Sequence, residues 1–178
     1  MDAFVELGLP RRAALDLEAV RDRLHELSKT LHPDGGTAPD AEALERANQA
    51  ATILSDPAQR LRQLIGEPQN HSGSIAPGLM NLFSEIGSAI QIADSVIAKK
   101  HSAKTALAQA LLTSEVTNSQ QNLMAVGAKI RKAFEVCEAR LPELDEAYEQ
   151  ETAESLYREF AFLGKWQREI QAKFSGLF

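Results

Sequence analysis

The chain has 178 residues, 44% of them hydrophobic and 25% charged, with a formal net charge of −6. That composition excludes a disordered polymer, and the length suits one compact domain or two small ones that fold without a disulfide or metal. Cutting after Ile65 leaves 8 basic against 11 acidic residues before the cut and 11 against 14 after it, so each part carries −3 and neither has the cationic surplus that neutralises nucleic-acid phosphates or an anionic membrane.

The single cysteine, Cys137, has no partner for an internal disulfide or a thiolate metal cluster, which fits a reducing compartment. The opening MDAFVELGLPRR lacks the succession of basic, apolar and small residues of a secretory leader. No apolar run approaches the roughly 20 residues that span a bilayer. A cytoplasmic location, with neither nucleic acid nor membrane as partner, is expected.

In chain order, Phe4, Val5 and Leu7 make a short opening turn. Leu17, Val20, Leu24, Leu27 and Leu31 then recur at steps of three and four, which predicts a helix from about Leu17 to Leu31 with Asp16 as its N-cap and Pro33 as its stop. After HPDGGTAPD, Thr37 is placed to cap a second helix, with Pro39 near its first turn and Asp40 three residues after the cap. Leu44, Ala47, Ala51 and Leu54 form the inner face of that helix, and its small residues let the two helices pack as an antiparallel hairpin. Asp56-Pro57 restarts the chain as a short helix through about Leu64, closing a four-element domain over 1–65.

Residues 66–77, GEPQNHSGSIAP, read as a linker. Over 78–178 the apolar positions repeat with helical period: Leu79, Phe83, Ile86, Ile90, Ala93 and Ile97; then Leu123, Val126, Ile130, Phe134, Cys137 and Leu141; then Leu156, Phe160, Leu163, Ile170 and Phe174. Three amphipathic helices of this kind bury one another as a bundle. Lys99–Ser119 mixes a helix-forming run with capping residues from Thr113 to Ser119 and predicts a helix–turn–helix joint. The fold class is therefore all-α.

His32-Pro33-Asp34 sits in the turn after a helix that carries Arg21, His25 and Lys29 at i, i+4 and i+8. With Phe4-x-x-Leu7-Gly8-Leu9-Pro10 before it and Ala47-Asn48-Gln49-Ala50, Ile53-Leu54-Ser55-Asp56-Pro57 and Arg60-Leu61 after it, the region 1–65 resembles J-domains, particularly those of the HscB (Jac-type) co-chaperones of iron–sulfur cluster assembly. The resemblance implies that His32, Pro33 and Asp34 contact the ATPase of a seventy-kilodalton heat-shock chaperone, and that Arg21, His25 and Lys29 steer docking. Read from the residues alone, the tripeptide is also an ordinary helix stop and the basic row also a solvated face. Glu18, Asp22 and Glu26 run beside that row, so pairs such as Glu18 with Arg21 and Glu26 with Lys29 are expected to mute it. Leu31 stands where the family commonly has tyrosine, and Gly35-Gly36 follow Asp34 in place of a basic residue.

Beyond the linker, Arg158-Glu159-Phe160-Ala161-Phe162-Leu163-Gly164-Lys165-Trp166 is similar to the family's final helix, and Leu79-Met80 followed by Phe83 resembles its L-M-x-x-L run. The resemblance implies a client-binding bundle whose face uses Leu79, Met80, Phe83 and Phe162 to hold an iron–sulfur scaffold protein. Ser84 and Gly87 stand where that face has glutamates, with Glu85 nearby. By their spacing Leu79 and Phe83 also fit the bundle core, whereas Met80 and Phe162 fall off the apolar stripes and are expected to be exposed.

His32 and Asp34 have no third ligand at metal spacing, and no nucleophile–base pair or phosphate loop is present. The chain is therefore expected to be no enzyme itself and to need no cofactor or metal. It would activate an ATPase in trans. The readings left open are a C-terminal bundle that serves oligomerisation or targeting with another client, and a J-like scaffold that stimulates no ATPase.

Overall fold

A computed structural model describes residues 1–31, 40–66 and 77–178. Those residues form eight helices and no strand: α1 (Ala3–Leu7), α2 (Leu17–Leu31), α3 (Ala41–Ser55), α4 (Pro57–Ile65), α5 (Pro77–Ser102), α6 (Ala106–Glu138), α7 (Leu141–Glu146) and α8 (Gln150–Gly176). No described helix is long and apolar enough to cross a membrane. The chain divides into two compact units, Met1–Gly73 with Glu138–Arg158, and Ser74–Cys137 with Glu159–Phe178.

The starts of α1 to α4 are each fixed by a carboxylate that accepts from amides left unpaired by the helix geometry. Asp2 accepts from the amides of Phe4 and Val5, Asp16 from Glu18, Asp40 from Ala43 and Asp56 from Gln59. The cap of α3 is thus Asp40 and not Thr37, which lies outside the described residues. The Asp40 carboxylate reaches the third amide of the helix, and Pro39 falls just before it. α1 ends at Gly8, whose φ of 63° is open to a residue without a Cβ. α1, α2 and α3 pack around Phe4, Leu7, Val20, Ala50 and Leu54, with Leu24 and Leu27 half-buried at the margin. Leu17, the first residue of the α2 stripe, is exposed.

The sequence reading assigns all of 78–178 to the bundle, but 138–158 packs into the first unit. Pro142 ends the α6 periodicity, so Leu141 opens α7 instead of extending α6, and it is buried there with Leu144. The carboxylate of Asp145 accepts from the amides of Ala13 (2.6 Å) and Ala14 (2.9 Å) in the loop between α1 and α2. Beneath that loop Arg60 is buried, donating from Nε to the Ala13 carbonyl at 2.8 Å and from Nη1 to the Leu54 carbonyl. Burial lowers the Arg60 pKa, and the charges of Glu138, Asp56 and Asp145 act against that shift.

The second unit is a bundle of α5, α6 and the later part of α8. Lys99 pairs with Glu115 at 2.6 Å and Lys129 with Glu85, so α6 runs back along α5. The Cys137 thiol lies 3.3 Å from Glu159, Phe134 stacks near Phe160, and Gly127 faces Ile170, so α8 runs back along α6. Asp94 pairs with Lys173 at 2.6 Å, and Ile97 closes on Gly176, where a Cβ would sit 3.0 Å from its Cδ1. Ile86, Ile90, Ala93, Leu123, Val126, Ile130, Phe160 and Leu163 fill the interior. The joint expected within Lys99–Ser119 falls at residues 103–105, capped by the Thr105 hydroxyl, which accepts from Ala108. Thr113–Ser119 is helical, since Thr113 and Thr117 satisfy their hydroxyls by donating to the carbonyls four residues back.

Candidate functional site

Two surfaces gather the residues singled out by the sequence. The first lies on α2 in the first unit. The 3.6-residue period places Arg21, His25 and Lys29 in one row, and all three are exposed. None forms an ion pair or side-chain hydrogen bond among the described residues. The expected muting by Glu18 and Glu26 therefore does not occur. Glu26 instead takes the neighbouring Arg23 at 2.9 Å. Arg23 is half-buried, donates from Nε to the carbonyl of Leu7 at 2.8 Å, and so ties α2 to the end of α1. One arginine thus serves the fold and uses up an acidic neighbour, which leaves the basic row unpaired. The row points along the helix toward its C-terminal end, where His32, Pro33 and Asp34 follow, and these three lie outside the described residues.

The second surface lies on α5 and α8 in the second unit. Phe83 and Phe162 meet edge-to-face with ring centroids 4.1 Å apart. Trp166 completes the cluster, 5.8 Å from Phe83 and 6.0 Å from Phe162. Phe162 is therefore half-buried against Phe83, contrary to the exposed position its spacing implies. It falls off the α8 stripe facing α6, but it lies on a second stripe facing α5. Leu79 is half-buried, and Met80, one turn before the cluster, is 56% exposed. The Trp166 indole nitrogen is buried without a hydrogen-bond partner, and the Lys165 ammonium lies 5.9 Å from the centre of that ring. Glu85, the carboxylate nearest the Leu79–Phe83 run in sequence, is held by Lys129. The sequence reading missed Trp166 as a member, although its spacing of four from Phe162 puts both on one helical face.

Chemically, the two surfaces are a cationic strip and an aromatic patch. Each is suited to binding a protein. Among the described residues no three His, Cys, Asp or Glu side chains converge as a metal site.

The whole arrangement is an all-α, HscB-like fold. The chain is similar to the solved structure of the chaperone HscB from Vibrio cholerae, with 100% of each chain covered, a TM-score of 0.57 and 20% sequence identity. No protein-family model matches the chain.

Proposed function

We propose that this chain is a J-domain-type co-chaperone that stimulates ATP hydrolysis by a seventy-kilodalton heat-shock chaperone and delivers to it an iron–sulfur scaffold client in the cytoplasm. The observation that carries the reading is the unpaired row Arg21, His25 and Lys29, which leads into His32-Pro33-Asp34 within an HscB-like fold. The row attracts an acidic partner surface, and the Asp34 carboxylate, next to Pro33 in the sequence, supplies a charge-assisted acceptor to a partner arginine. The co-chaperone acts by binding the ATP state preferentially, and the client presented with it biases the chaperone to its closed state. The face around Met80, Leu79, Phe83 and Phe162 serves the client.

The test is single-turnover ATP hydrolysis by the chaperone with wild type, His32→Gln and Asp34→Asn, each with and without scaffold protein. Stimulation that disappears in both variants and grows with scaffold supports the reading. A folded wild type that gives no stimulation leaves a J-like scaffold without ATPase activation.

One observation favours a second reading, in which the bundle oligomerises. Leu107 and Leu111, one turn apart on α6, are 72% and 73% exposed. Light scattering across a concentration series decides it, and a Leu111→Glu variant that dissociates a dimer would assign the interface.

A further inference from the structure

A groove of about 260 Å³ opens between α6 and α8 in the second unit and shares no residue with the Phe83–Phe162–Trp166 cluster. Leu123, Ile170 and Phe174 form its apolar floor, and the exposed Met124 forms a flexible wall. Arg131 from α6 and Gln171 from α8 stand at its mouth, both exposed and neither bonded to any described side chain. Glu135, one turn along α6 from Arg131, is exposed and does not pair with it.

Gly127 lines the same groove in the middle of α6, where glycine is a poor helix former. Packing does not require it, since a Cβ there would meet only Ile170 Cγ2, at an ordinary 3.8 Å. Without a side chain at this position the groove is open there.

We propose that this groove docks a partner peptide segment that presents one bulky apolar side chain beside a carboxylate. The apolar floor takes the side chain, and the guanidinium of Arg131 with the amide of Gln171 supplies the donors for the carboxylate. The volume suits a single anchoring side chain, whereas sites for a whole small ligand run to about 300–1,000 Å³. The guanidinium sets the sign of the partner, because no acidic side chain lines the groove.

The test titrates the isotope-labelled full chain with the peptide acetyl-Glu-Leu-Phe-Glu-amide, its counterpart with lysine in place of glutamate, and dodecanoate, following backbone amide shifts. The acidic peptide should shift Gly127, Arg131 and Gln171 saturably, and the lysine peptide should not. Arg131→Glu should weaken the acidic peptide at least about tenfold, and Gly127→Leu should abolish its binding. Should Gly127→Leu fail to fold, Arg131→Glu at an exposed position and Gly127→Ala, which raises the floor by one methyl, keep the comparison valid. The proposal is overturned if the acidic peptide does not bind, if the lysine peptide binds equally, if dodecanoate alone occupies the groove, or if folded variants bind like wild type.

Discussion

The carboxylate of Asp145 accepts from the amide of Ala13 across 2.6 Å, joining positions 132 residues apart in the chain. Ala14 donates to the same carboxylate, so the loop between α1 and α2 is held from outside the first 65 residues. Charge-assisted bonds to backbone amides are stronger than neutral ones, and Asp145→Ala is expected to destabilise the first unit by about 1–2 kcal/mol. Amide exchange at Ala13 and Ala14 should quicken in the variant, while α5 amides keep their protection.

Arg60 gives the D-P-x-x-R motif a physical role. Its buried guanidinium donates to the carbonyls of Ala13 and Leu54, tying α4 to the loop before α2 and to the last turn of α3. Arg60→Ala leaves two carbonyls without donors and opens a void, a loss of roughly 2–4 kcal/mol. Arg60→Lys should recover only part of it, because an ammonium lacks the planar fork that spans both acceptors. Denaturant unfolding of the two variants checks the order.

What was legible in the sequence was local. The cap Asp16, the helix restart at Asp56-Pro57, the extent of α2 and the apolar stripes of α5 and α8 follow from short-range rules, and the structure agrees with them. The spacing predicts Thr37 as the cap of α3 with Asp40 three residues on, but the helix starts one residue after Asp40, whose carboxylate reaches the Ala43 amide and makes it the cap. The misread elements were settled at long range. Nothing near residues 138–158 announces that Asp145 will meet Ala13, and the second stripe of α8 became visible only once α5 lay against Phe162. The pairing of α2 was misjudged for a related reason. Glu26 has Arg23 and Lys29 both at three residues' distance, and the bond from Arg23 to Leu7 on α1 fixes which arginine or lysine it finds.

Tyr148 supplies a pH dependence. The residue is 54% exposed, and its pKa is raised, first by the partial burial of the phenol and then by the charge of Glu154, while its hydroxyl donates to Gln150 at 2.7 Å. The protonated phenol is thus favoured in the folded state, so its contribution is complete below the unfolded value near 10 and is lost as pH climbs through the higher folded value. Thermal stability should therefore fall more steeply above that pH in wild type than in Tyr148→Phe. An ultraviolet titration should show this phenol ionising late in the folded chain and at the ordinary value in denaturant.

The aromatic patch separates fold from docking. Phe162 is held between Phe83 and Trp166, so Phe162→Ala should destabilise the second unit by roughly 2 kcal/mol through lost ring contact and a cavity. Met80 is exposed, and Met80→Ala should change stability by less than about 0.5 kcal/mol. If the chain stimulates an ATPase as proposed and the patch holds the client, Met80→Ala lowers the extra stimulation that scaffold brings and leaves the stimulation by the chain alone unchanged. An unaltered scaffold response would remove Met80 from that face.

Arg21 and Arg23 are two positions apart on α2 and have opposite consequences. Arg23 is bonded to the Leu7 carbonyl and to Glu26, so Arg23→Ala should lower stability by about 1–2 kcal/mol through the orphaned carbonyl. Arg21 and Lys29 are exposed and unpaired, and reversing both, Arg21→Glu with Lys29→Glu, should leave stability within about 0.5 kcal/mol. If the chain stimulates a chaperone ATPase as proposed, the double variant should nevertheless lose most of that stimulation, because a steering charge acts on the rate of encounter. Salt provides the control: wild-type stimulation should fall as ionic strength rises from about 0.05 to 0.3 M, where the screening length drops below the dimensions of the strip, and the double variant should show no such slope. Equal salt slopes for both would mean that the basic row is only a solvated face.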